Sequence, residues 1–247
     1  MVRSDGVKSE RTTACDVTQF KRLAAFRPRT RRRRATRRLP RRFGPVGFGR
    51  AKLAPMVAGF FPASERDTAL RLLADALFFV SSENIETLVL VTPWLHTAWT
   101  AANLYLGSLG APGLDGQEAR VVGRSIDQTC YVFPSYFDEE NPFADVVVHE
   151  AAHLLHNCKR QRAGLLHSQT REWLLTIDYA KRETFTHVCG ACSRIIDQAF
   201  RPAERARRCT PHAANHVPAC DEIDPEELVS ILRESVGARN GWQRIRR

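Results

Sequence analysis

Two imidazoles lie four residues apart around a carboxylate in the run His149-Glu150-Ala151-Ala152-His153. On an α-helix such residues sit one above the other on the same face, so both rings can reach one ion, each at about 2.0–2.1 Å for zinc. Glu150 falls beside that face. There its carboxylate would not ligate the ion but would hold and deprotonate a water, whose pKa a bound zinc lowers to about 7. The spacing therefore suits a Zn2+ site with His149 and His153 as ligands and Glu150 as the general base. The flanks agree: Val146 to Val148, Ala151, Ala152, Leu154 and Leu155 are uncharged. Ionisable groups set into so apolar a helix are costly to bury without a partner, and a metal ion supplies one.

The elements that must position this run follow from periodicity. Phe143 to Asn157 reads as one apolar helix. Before it, Ser64 is a candidate N-cap with Asp67 three residues on, and Leu70, Leu73, Leu77 and Phe78 recur at helical spacing. A second helix is expected from Ser82 to Val91. A third opens at Pro93 and Trp94 and closes at Gly107, with His96 and Trp99 among its packing residues. Gly107 to Gly116 reads as a loop. Ala119 to Val122 and Thr129 to Phe133 read as two strands joined by a turn near Asp127, followed by an acidic loop from Pro134 to Pro142. After the motif, Ser168 to Tyr179 and the stretch beginning at Lys181 read as helices. A last helix runs from Asp224 to Ser235 before a basic tail. The fold class expected is α+β, predominantly helical, with a small β-sheet before the motif helix.

Residues 146–155 resemble the active-site helix of the zincin metallopeptidases of bacterial type. The metzincin continuation is absent, because His156 and Lys159 stand where its glycine and third histidine would be. The resemblance is then gluzincin-like, and it implies a third ligand from a glutamate on a downstream helix. Glu183, 30 residues after His153, takes that role. The same branch often places an aspartate four residues after the glutamate, whereas this chain has His187. His187 and Asp178 are therefore open as alternative ligands, and His187, Tyr179 and Tyr136 as partners or oxyanion donors. His156 is expected at the surface or beside a ligand. The resemblance implies a zinc metallopeptidase acting on a peptide or protein, although with only two strands before the motif a non-peptide amide stays open as substrate.

A second group of candidate ligands follows. Cys189-Gly190-Ala191-Cys192 precedes Cys209, His212, His216 and Cys220, a spacing that could close a structural zinc site, or leave thiols in a helix and a loop with no common role. Seven cysteines are an odd number and far too few for a disulfide scaffold, so reduced thiols and a cytoplasmic setting are expected. No run approaches the roughly 18 apolar residues of a membrane span, so no membrane partner is expected.

Charge divides the chain. Residues 1–55 hold 17 Lys+Arg against 3 acids, and residues 56–247 hold 20 against 24. The runs Arg31 to Arg34, Arg37-Arg38 and Arg41-Arg42, with Pro28, Pro40 and Pro45 among them, repel and cannot form a core. Residues 1–55 are therefore expected to be disordered, with the folded domain spanning 56–247. That segment could be an arm for nucleic acid, a solvated tail, or sequence upstream of a translation start at Met56. A reading from a different class follows: a nucleic-acid-associated or regulatory protein that uses the Arg-rich segment and has a structural or inactive metal site.

Overall fold

The computed structural model describes residues 45–93, 95–114, 123–126, 128–138, 143–166, 171–215, 218 and 222–246. They belong to two compact units. The smaller comprises α3 (Ile85–Val91) and α4 (Leu95–Ser108), both close to the helices expected there. Its buried side are Ile85, Leu88, Ala98, Ala101, Ala102, Leu104, Tyr105 and Leu106. His96 is exposed and bonds Thr100 within the same helix.

The larger unit carries the motif. It contains α1 (Pro45–Phe60), α2 (Ala63–Asp75), the strands β1 (Leu77–Phe79), β2 (Gly123–Ile126) and β3 (Thr129–Val132), and α5 (Ser135–Asp138). The motif helix α6 (Val146–Asn157) follows, then α7 (Arg182–Gln198), α8 (Pro202–Asn215), α9 (Pro225–Gly237) and α10 (Gly241–Ile245). The sheet order is β1-β3-β2, with β1 parallel and β2 antiparallel to β3. The predominantly helical α+β class with a small sheet before the motif is thus observed, and no helix among the described residues is long and apolar enough to cross a membrane.

Several local expectations are corrected. The segment expected to be disordered up to residue 55 is helical from Pro45, because Leu53, Met56 and Val57 enter the core together with Phe60. Met56 is fully buried in the middle of that helix rather than at the edge of the fold. Residues 1–44, including the arginine runs, lie outside the described residues.

Leu77 and Phe78 leave the helical register and form β1, where Leu77 pairs with Cys130 and Phe78 with Tyr131. Ladder bonds to β3 and a 5.8 Å edge contact between the Phe78 and Tyr131 rings outweigh the helical spacing. Strand β2 at Gly123–Ile126 pairs with β3, and the strand expected at Ala119 to Val122 lies outside the described residues.

The described part of the expected Ser168 to Tyr179 helix is not helical before Tyr179, and Trp173 bridges Lys159 in antiparallel fashion. Backbone bonds from Leu174 N–H to Cys158 O (2.9 Å) and Leu175 N–H to Leu155 O (2.7 Å) tie this part to the end of α6. Those bonds cap carbonyls that the last turn of α6 leaves free, a stronger claim on the segment than its own helix propensity.

The stretch after residue 200, expected as a loop, is helix α8, and the basic tail docks. Trp242 and Ile245 of α10 are buried. Trp242 packs at 5.6 Å on Phe60 and so close to Gly59 that a Cβ there would lie 2.2 Å from its own Cβ.

Candidate metal centre

Helix α6 starts at Asp145, whose carboxylate accepts from Val148 N–H at 3.2 Å and caps the first turn. Asp145 is fully buried, and two further side chains meet its carboxylate. Lys52 of α1 reaches it at 2.6 Å and also contacts Asp197, while the Tyr136 hydroxyl donates to it at 3.3 Å. Burial, with Asp145 beside it, pushes the Tyr136 hydroxyl far up, so that tyrosine is a donor committed to the cap.

Helix α7 lies against this same turn. Asp145 N–H donates to Gly190 O at 3.0 Å, and a Cβ at Gly190 would come within 3.0 Å of Asp145 O and 3.2 Å of His149 Cβ. Only glycine lets the helices approach this closely. The run Cys189 to Cys192 is thus a helix contact. Its thiols are buried, and burial raises Cys189 well above its ordinary value and Cys192 to about 12. Cys209 is buried on α8, and His212 packs its ring 6.2 Å from Phe143. His216 and Cys220 lie outside the described residues.

The close approach at Gly190 brings α7's first two turns opposite the motif. His149 Nε2 and His153 Nε2 are 3.3 Å apart, and Glu183 Oε2 lies 3.9 Å from His153 Nε2. Ligand atoms of His149, Glu183 and His187 all fall within 4.8 Å of one another, and among the described residues this is the one such group of three or more. The four cysteine and histidine side chains of the second candidate site are not part of it. Asp178 instead accepts from Ala180 N–H at the start of a 3-10 turn, and Tyr179 is exposed beneath the Arg182 guanidinium.

Electrostatics prepare the imidazoles as neutral donors. Burial, then the neighbouring His187 and His153, holds His149 well below its ordinary value. Burial, then His156 and His187, lowers His153 to about 4. Burial also lowers His187, and it raises Glu183, with Glu222 adding to the rise. The Thr186 backbone carbonyl accepts from the His149 ring and opposes its shift. That bond fixes the ring, as a second partner does for a metal-bound histidine.

Glu150 is buried next to Cys130 of β3, whose thiol it helps to raise. His156 is buried rather than at the surface, its ring 5.4 Å from that of His153 and its Nδ1 3.0 Å from Asn157 Oδ1.

Sequence reasoning missed Lys52, Asp145, Thr186 and Gly190. Asp145 had a signal, an aspartate immediately before an apolar helix. The others had none, since a backbone carbonyl and a helix crossing leave no pattern in one chain. Set against models of protein families, curated proteins and solved structures, the chain has no match in any of the three comparisons.

Proposed function

We propose that this protein is a zinc-dependent metallohydrolase of the cytoplasm that cleaves amide bonds, with peptides or proteins as substrates. The observation that carries the reading is the 3.3 Å between His149 Nε2 and His153 Nε2. A tetrahedron with vertices 2.0–2.1 Å from its centre has edges of about 3.3–3.4 Å, so the two nitrogens already stand at the separation two zinc ligands need. Glu183 is the carboxylate on their open side. Bound by these groups, zinc would polarise a carbonyl oxygen and acidify a water.

The chain's own residues supply the rest. The Thr186 carbonyl and the Asp145 cap hold His149 and its helix in place. Glu150 takes the proton from the attacking water as the new C–O bond forms, then gives it to the amine as the C–N bond breaks. Its burial removes competing solvent from that transfer. Strand β2 stands at an edge of the sheet and lies against α6, which suits pairing with an extended peptide. Cys130, Cys158, Cys189, Cys192 and Cys209 are all free thiols, in keeping with a reducing compartment.

The test is metal content and hydrolysis in parallel. Wild type should hold one zinc, His149→Ala and His153→Ala should lose it, and Glu150→Gln should keep it while peptide hydrolysis falls by about 10²–10⁴. Full zinc in both histidine variants overturns the site, and undiminished hydrolysis by Glu150→Gln overturns the base.

A further inference from the structure

We infer that His187 is a fourth protein ligand, so that the metal is held by three imidazoles and one carboxylate, with Glu183 the loosest of the four. This rests on the metal site proposed above and extends it. The two helices present matched pairs: His149 and His153 are one turn apart on α6, and Glu183 and His187 one turn apart on α7. Ligand atoms of His149, Glu183 and His187 lie within 4.8 Å of one another, and His153, outside that group, stands 3.3 Å from His149 Nε2, so a small adjustment of the kind seen in metal sites inside helix bundles would gather all four.

The distances favour His187 as a member rather than an onlooker. Its ring centroid lies 4.4 Å from that of His149, nearer than the 5.0 Å between the rings of His149 and His153. Its ligand atom is within 4.8 Å of those of both His149 and Glu183, a gap that modest side-chain rotation closes to a tetrahedral edge of about 3.3–3.4 Å. A histidine acting through another ligand would stand behind it, as the Thr186 carbonyl does for His149. His187 instead shares the open side of His149 with Glu183.

Glu183 is the looser member because it is the more open to solvent: its side chain is 33% exposed against 15% for His153. A closed set of four is the arrangement of a structural site, whereas catalysis needs an open position. An exchangeable Glu183 reconciles the two, because the three imidazoles alone still make a complete ligand set for a catalytic zinc.

The test uses the full chain loaded with Co2+, whose visible spectrum reads ligand number and type, with zinc affinity measured by chelator competition. In His187→Ala the Co2+ spectrum should change and zinc affinity should fall at least about 100-fold, beyond what loss of an outer partner gives. Glu183→Gln should bind zinc through the three imidazoles, more tightly than His187→Ala does. Should His187→Ala fold poorly, His187→Cys keeps a donor in place and should add a thiolate-to-cobalt charge-transfer band. An unchanged Co2+ spectrum in His187→Ala, or no such band in a folded His187→Cys, overturns the inference. His149→Ala separates the two levels. If it loses the metal while the His187 variants are silent, only the fourth ligand is wrong; if it keeps the metal, the site itself is.

Discussion

Gly190→Ala tests the contact that assembles the metal centre. The added methyl would meet Asp145 O at 3.0 Å and His149 Cβ at 3.2 Å. The nearer atom is a backbone carbonyl at the start of α6, which cannot rotate aside as a side chain could. Overpacking of this kind costs about 1–3 kcal/mol. Forcing the helices apart also weakens the 3.0 Å bond from Asp145 N–H to Gly190 O, a loss of about 1 kcal/mol. Against this, alanine is the better helix former by about 1 kcal/mol. The last two terms cancel, and the variant should be less stable by about 1–3 kcal/mol, or about 2–12 °C in Tm for a domain of this size. Urea denaturation followed by circular dichroism measures it, with Gly190→Val as a second point that should fall further. Zinc affinity should drop in the same order, because the methyl separates His149 from Glu183 and His187. A Gly190→Ala protein as stable as wild type, or more so, would refute the close approach and with it the account of how α7 meets the motif.

Three further outcomes are expected. Lys52→Met should destabilise the fold by about 3–5 kcal/mol, because it leaves Asp145 buried and charged beside Asp197; Asp145→Asn in the same chain should recover part of that loss in chemical denaturation, and equal instability of single and double variants would contradict the pairing. Metal-free protein should lose stability as pH falls from about 6.5 toward 5: His153 and His156 are each lowered to about 4, so the unfolded chain takes up their protons first and their contribution is complete only above 6.5. Thermal melts in chelator across that range should slope downward, with Glu183, shifted up by burial, acting in the opposite sense. Trp242→Ala should cost about 3–5 kcal/mol by urea denaturation, since its ring is packed on Phe60 and Gly59; an effect below 1 kcal/mol would mean that α10 does not dock.

The residues that read correctly in the sequence are those whose evidence is local. The i, i+4 histidines, the apolar run around them and the Asp224-Pro225 helix start are short-range patterns, and α6 and α9 follow them closely. Leu77 and Phe78 misled because a spacing of three and four residues suits a helix as well as it does a short buried strand, and the deciding partner, β3, lies some fifty residues away. Lys52 was hidden by its neighbours. Seen only as one more cation after a run of arginines, it was grouped with residues that repel, although in the fold it meets two carboxylates.

The sequence by itself determined that two imidazoles and a carboxylate would share one helix, because helical geometry depends on nothing but the spacing of neighbours. Tertiary structure decided what stands opposite them. Whether Glu183 and His187 face the motif depends on how closely α7 crosses α6, and that is set by a missing side chain at Gly190 and by backbone bonds to Asp145. Such contacts join residues far apart in the chain and are specified by shape and burial.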